Sequence, residues 1–319
     1  MTSKPTPDDA ATAKLLLVVL SFCWGLSWSA MRIALDQLSP WSMRFLGYSI
    51  GAATLFALIK LQRRSLAIPL GRAWVHIAFA SLFNVVAFGL AGTFAQLMAS
   101  TSRVIIVNYS MPVWGSLMAW LVLRERVNAR AAIGLVLCVA GIVTLVSPVA
   151  AQSVQEPLGL LLALVCALAW AAGTVYMKWA RIPGDLLAIT MWQIVVGIAV
   201  FAVGYSVFHG APSPEPLLWQ TWAAVAFNGI LGTGIAYFIW FNIIGRLTTA
   251  MASLGTLANP VVGVIGAAIL LGDRPTIADV IGFALIFSAA ACVMFPQRRR
   301  SPAPPRAMTT AISGKAETD

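Results

Sequence analysis

The chain has 319 residues, of which 60% are apolar and only 10% charged, against roughly 45–50% and about 25% in an average soluble protein. So few charges cannot wet a globule of this size, which excludes a water-soluble domain and leaves lipid as the solvent of most of the surface. The net charge of +10 does not point to nucleic acid, because the charges lie in short clusters between long uncharged stretches and not along one face.

Taken in chain order, ten stretches are apolar and long enough for a helix to cross about 30 Å of hydrocarbon. They are residues 15–33, 42–61, 74–98, 102–123, 131–148, 158–179, 186–208, 219–241, 248–271 and 277–295. The first is too long for a cleaved signal peptide, carries Trp24 and Trp28, and is followed by nine more, so it belongs to the mature protein. With the N-terminus inside, the inward connections collect the Lys and Arg; only Arg32, Arg44, Arg103 and Arg274 of 21 fall outside. Both termini are therefore expected in the cytoplasm. Residues 1–14 read as a short tail, 149–157 as a linker on the far side, and 297–319 as a basic, Pro-rich, disordered tail near the anionic inner leaflet. Cys23, Cys138, Cys166 and Cys292 all lie in apolar runs without a C-x-x-C or a neighbouring His, and read as small buried hydrophobes.

The chain repeats itself. An offset of 148 places NYSMPVWGSLMAWLVLRER on TLANPVVGVIGAAILLGDR, so that Pro112 meets Pro260, Gly115 meets Gly263, and Glu125-Arg126 meets Asp273-Arg274. An offset of 146 puts Trp24 on Trp170 and Arg32 on Lys178; 144 puts Asn84 on Asn228. Residues 15–148 and 158–296 are thus two copies of five spans each. Five is odd, so the second copy enters the membrane in the opposite sense, which is the inverted-repeat architecture of secondary transporters. The expected fold is an all-α membrane protein of ten helices in two inverted halves, whose two packings open a central site alternately to either side. Ten spans supply both halves, so a monomer suffices.

Every Asp and Glu sits in a tail or near a span end, and the two His residues, His76 and His209, do the same. No metal cluster, Ser-His or His-Asp pairing or phosphate-binding loop is present, so neither an enzyme nor an ATP-driven pump is expected, and no cofactor or metal. The polar equipment is uncharged. Asn84, Phe88, Gly92 and Gln96 recur every four residues as a stripe, and Asn228 is its counterpart. Asn108, Pro112, Gly115 and Ala119 share a face, reproduced by Thr256, Pro260, Gly263 and Ala267. The two prolines, each inside a span, would free the carbonyls of Asn108 and Thr256, making Pro112, Gly115, Pro260 and Gly263 candidate hinges and Asn108 and Thr256 candidate contacts. Packing glue is the alternative for the amides. Trp41, Trp74, Trp219 and Trp222 read as interface anchors, whereas Trp24, Trp170, Tyr109, Tyr176 and Tyr237 fall within spans, where a neutral pathway needs amphipathic walls. Arg32 and Lys178 stand at opposite mouths, as lures for a carboxylate or as snorkelling side chains.

Ten spans as two fives, the openings FCWGLSWSAMRIAL and ALAWAAGTVYMKWA, and the pairs Pro112 with Glu125 and Pro260 with Asp273 resemble the drug/metabolite transporter superfamily, in particular its EamA-type ten-helix members. Val107 to Pro112 (VNYSMP) and Trp170 resemble the aromatic amino acid exporter branch. The resemblance implies a bacterial inner-membrane exporter of amino acids, aromatic and other neutral ones, with Trp24, Asn108, Tyr109 and Trp170 at the substrate. With no membrane glutamate, cationic drugs fit poorly. With basic residues only at span ends, nucleotide sugars and sugar phosphates fit poorly too, and an obligatory proton carrier is not expected. Another small neutral metabolite, or a lipid-handling scaffold that transports nothing, is the alternative.

Overall fold

The computed structural model describes residues 7–125, 129–150, 154–208, 216–243 and 249–294, and among these there are helices and short connections but no strands. The tail expected at 297–319, His209 and Arg246 lie outside the described residues. The helices are α1 (Pro7–Ala34), α2 (Pro40–Leu61), α3 (Arg72–Met98), α4 (Thr101–Leu123), α5 (Ala129–Ala150), α6 (Gln155–Ala180), α7 (Leu186–Phe208), α8 (Trp219–Ile243), α9 (Thr249–Leu270) and α10 (Ile277–Met294). Among the described residues, nine are long and apolar enough to cross a membrane; α9 runs for 22 residues, apolar over Thr256–Leu270. Helix begins at Pro7, inside the segment expected as a tail.

The ends of these helices follow from local chemistry. Ser39 caps α2, its hydroxyl accepting from the Ser42 amide at 3.1 Å with Pro40 in the first turn. The Asp185 carboxylate accepts from the Leu187 amide at 2.8 Å where α7 begins. At α10, Thr276 and Asp279 form a reciprocal box: the Asp279 amide donates to the Thr276 hydroxyl at 3.3 Å, and the Thr276 amide to the Asp279 carboxylate at 2.7 Å. Outward faces are apolar, as lipid requires: Val136, Val203, Ile269 and Val280 are all exposed.

The two halves interlock. The main packed pairs are α1 with α9 and its counterpart α6 with α4, α1 with α8 and α6 with α3, α2 with α8 and α7 with α3, together with α2–α7 and α5–α10. Exchanging α1–α5 with α6–α10 maps this set onto itself, so packing carries the same repeat as the sequence. The exchange holds at single residues. Asn84 donates to Gln193 Oε1 at 3.0 Å and presses on Gly173, while Asn228 donates to the Ser27 carbonyl at 3.2 Å and faces Gly47. Ser27 and Gly173, and likewise Gly47 and Gln193, are 146 residues apart, the offset that aligns Trp24 with Trp170.

Three features depart from regular spans. α3 and α8 each contain a π-helical segment, Leu82–Ala87 and Phe227–Ile235, and each segment includes one of the two equivalent asparagines. The Phe88 amide reaches back to the Phe83 carbonyl and that of Ala236 to Leu231, each five residues earlier. The widened turn takes Asn84 out of strict four-residue register with Phe88, Gly92 and Gln96, so the expected stripe is interrupted. α4 is not a kinked continuous span: it stops at Asn108, turns at Tyr109 and Ser110, and restarts at Met111 with Pro112 in the first turn. There Pro112 costs nothing, because a first-turn amide has no helical acceptor. In the other copy Pro260 stays inside a continuous α9, and Pro148 also lies within a helix, α5. Of the four cysteines, Cys292 is partly exposed, and the other three are buried as expected.

Candidate functional site

Between the halves runs a continuous line of aromatic rings. Trp240 lies 5.8 Å from Trp24, which meets Tyr237 edge-on at 6.1 Å; Tyr237 stacks on Trp170 at 6.4 Å and 18°. Trp170 lies 5.0 Å from Phe88, and Phe88 6.4 Å from Trp28. The line draws on α1, α3, α6 and α8, two helices from each half. Trp24 and Trp170, equivalent in the repeat, both border Tyr237. Trp24, Phe88, Trp170 and Tyr237 all retain partial exposure although they face one another inside the bundle. Rings of this kind offer broad apolar faces with a polar edge, suited to a neutral or aromatic solute.

The amides are placed differently. Gln96 is buried and acts as a strut: its Nε2 donates to the Trp28 carbonyl at 3.2 Å, and its Oε1 accepts from the Thr101 hydroxyl at 3.4 Å. The oxygens of Asn84, Asn108 and Asn259 are buried without a hydrogen-bond partner, a costly state for an amide in a dry interior. Asn108 closes the first part of α4, and partly exposed Tyr109 occupies the break. Thr256 on α9 is partly exposed, and Asn228 is held by Ser27. Tyr176 stands apart from the aromatic line. Its hydroxyl is 2.7 Å from His76 Nδ1, within a cluster with Phe79 and Trp179 towards the face that carries the α2–α3 connection. Of the candidate hinges, Gly263 lies at the α1–α9 contact, 3.3 Å from the Gly25 carbonyl to where a Cβ would sit, whereas Gly115 has no neighbour closer than 4.0 Å. Trp41 and Trp74 are not free interface anchors either: Trp41 stacks on Phe208 at 5.4 Å and Trp74 meets Trp192 at 5.1 Å, while Trp219 and Trp222 are exposed.

The two ends of the bundle differ. At the face carrying the α1–α2 connection, a polar cavity of about 610 Å³ is lined by Arg32, Asp36, Gln96, Thr101, Glu156 and Asp273, among others. Arg32 pairs there with Asp36 at 2.5 Å. At the opposite face Lys178 pairs with Glu125, and Arg64 with Asp185 at 2.6 Å. The proline-to-acid motif thus ends in different contacts: Glu125 holds Lys178, and Asp273 accepts from the Ser102 amide at 2.8 Å.

Two of the arginines counted to the outer side are packed inside the protein. Arg103 is nearly buried; it holds Asp279 through Nε at 2.5 Å and Nη2 at 3.2 Å, and Glu156 through Nη1 at 2.5 Å. Arg44 is 6% exposed. Its Nε donates to the Gly89 carbonyl at 3.0 Å, and its guanidinium lies 5.4 Å from the centre of the Tyr48 ring. Arg103, in the first turn of α4, still stands at a span end; the expectation that basic residues sit only at span ends is corrected at Arg44, whose side chain turns into the bundle. The signal was available in the sequence, since Arg44 falls within the span read at 42–61, but assigning each charge to its nearest connection hid it.

The model of the EamA-like transporter family matches the chain twice, over residues 11–147 and 157–295. An uncharacterized transporter of Bacillus subtilis (strain 168), YoaV, is 26% identical over 276 residues, covering 86% of this chain and 94% of that protein. A probable amino-acid metabolite efflux pump of Escherichia coli (strain K12) is 24% identical, covering 92% of this chain and 96% of its own length. A solved crystal structure, 25% identical and covering 91% of this chain and 99% of its own, is similar with a TM-score of 0.61. The two family matches fall on the two halves whose packing interchanges, and together they span most of the chain: it belongs to the EamA-like transporter family.

Proposed function

We propose that the protein exports amino acids, aromatic and other neutral ones, across the bacterial inner membrane by alternating access, as a monomer and without an obligatory ion gradient. The observation that carries this reading is the ring line Trp24–Tyr237–Trp170–Phe88, built from both halves, so that any exchange between their two packings reshapes it. The relatives described as probable amino-acid metabolite efflux pumps, in Escherichia coli and Salmonella typhimurium, support the substrate class. Asp36, Glu125, Glu156, Asp185, Asp273 and Asp279 all stand near span ends, in caps or ion pairs; with no carboxylate at membrane depth among the described residues, movement down the substrate's own gradient is supported. The inward-connection charge rule supports cytoplasmic termini, and so an outward-facing polar cavity at Arg32 and Asp273.

The test is release of labelled phenylalanine from proteoliposomes without any ion gradient, with threonine and a cationic dye as comparators, for the parent and Trp170→Ala. Saturable phenylalanine release, little dye movement and about a fivefold or greater loss in the variant are expected, since a removed ring contact is worth roughly 1 kcal/mol or more. Release that requires an imposed pH gradient would overturn the gradient-free part, and no amino acid movement under either condition would overturn the substrate class.

A further inference from the structure

Arg44 is a buried cation for which the described residues supply no anion. Of its five N–H donors, only Nε has an acceptor among the described residues, the Gly89 carbonyl. Its side chain does not snorkel back to the near face: it reaches over Tyr48, one turn deeper along α2. Gly89 lies nine residues before the end of α3 at Met98, about 14 Å at 1.5 Å per residue, or roughly half of the hydrocarbon thickness. A lone charge there costs about 3 kcal/mol or more even on insertion scales.

Helix packing does not require it. The repeat-equivalent position in α7, 146 residues on, is Thr190, so the matching helix contact of the other half forms without a charge. Beside the Tyr48 ring, the guanidinium comes near the Trp28 end of the aromatic line. A point where a Cβ on Gly92 would sit is 3.6 Å from Arg44 Nη2, 3.5 Å from the Trp28 ring and 3.3 Å from Cys166 Sγ. Trp28 continues through Phe88 to Trp170. Points where a Cβ would sit on Gly89 and Gly92 are 3.4 and 3.6 Å from Arg44 nitrogens, so the guanidinium lies against this stretch of α3.

We propose that Arg44 binds the carboxylate of the transported amino acid, so that the substrate class is the free α-carboxylate compound and not its amide or amine. This rests on the amino acid reading above and deepens it. A guanidinium takes a carboxylate through two parallel hydrogen bonds, and the aromatic line beside it receives the side chain. The bound anion then supplies the charge that the protein lacks, and the cation need not be returned to water during the cycle.

The experiment compares labelled phenylalanine with labelled phenylalaninamide in proteoliposomes of the parent, Arg44→Lys and Arg44→Gln. The parent is expected to carry phenylalanine at least about 30-fold better than the amide, as for loss of one partner from a buried charged pair. Arg44→Gln is expected to bring that ratio close to one, and Arg44→Lys to keep part of it. A purely structural role for Arg44 would lower both solutes together and leave the ratio unchanged, which overturns the proposal. The parent ratio alone also decides should Arg44→Gln fail to fold: equal transport of phenylalanine and its amide overturns the proposal while the amino acid reading stands. Transport of neither overturns both. Competition with excess sugar phosphate is expected to be weak; competition stronger than that by unlabelled phenylalanine would assign the site to phosphate and overturn the carboxylate.

Discussion

Two arginines among the described residues, Arg44 and Arg103, are held inside the bundle, and their surroundings are opposite. Arg103, in the first turn of α4, meets both oxygens of Asp279 and one of Glu156, and so ties α4, α6 and α10 together at the face where the polar cavity opens. Arg44, one turn into α2 with its side chain running inward, meets a carbonyl and a ring and, among the described residues, no carboxylate. The first is a closed electrostatic unit, whose desolvation is offset within the protein; the second keeps donors in reserve beside the aromatic line. The difference teaches that burial of a charge does not by itself mark a site in this fold. What separates a fastening from a site is whether the protein supplies the counter-charge.

The comparison breaks most visibly at Asp279. Asp279→Ala leaves Arg103 with Glu156 alone and removes the cap of α10, and is expected to destabilise the protein by about 3–5 kcal/mol, read as a loss of folded, monodisperse protein on heating in detergent. A neutral outcome would mean that Arg103 is no more satisfied than Arg44, and the contrast would fall. Next in size is Gly173→Ala. Its new Cβ would lie 1.9 Å from Asn84 Oδ1, so Asn84 must leave Gln193, and a loss of about 1–3 kcal/mol is expected in the same thermal assay. The equivalent position in the first half already carries a side chain, Ser27, which makes Ser27→Ala the mild control. The smallest effect belongs to Lys178→Ala. Its pair with Glu125 is exposed, with Lys178 63% accessible, and a stability change below about 1 kcal/mol is expected. A larger loss would give that face a fastening comparable to Arg103.

Much of this was legible in the sequence, and the reasons divide cleanly. Spans are written in local composition, and lipid leaves few alternatives, so α1 to α10 follow from apolar length. The repeat was legible because equivalent positions keep their residue types, Trp24 with Trp170 and Asn84 with Asn228, and these pairs occupy equivalent places in the structure. The π segments were not legible: a single wider turn leaves no mark in apolar length or periodicity, and the contacts that Asn84 and Asn228 make there reach neighbouring helices. The break in α4 was misread as a kink because Pro112 is compatible with either a helix interior or a helix start, and the turn at Tyr109 and Ser110 decides between them. Arg44 was missed for a different reason. A charge near a span end is statistically a mouth charge, and only the path of its side chain towards Tyr48 and Gly89 shows that it turns inward.

The account stands or falls on a wet pathway past Trp170. The direct measurement is labelling of Trp170→Cys, in a chain with Cys23, Cys138, Cys166 and Cys292 replaced, by a membrane-impermeant maleimide applied to each face in turn. Labelling from both faces, slowed by phenylalanine, is the predicted result. No labelling from either face, while Lys178→Cys reacts normally, would mean that the ring line is dry packing and would contradict the account.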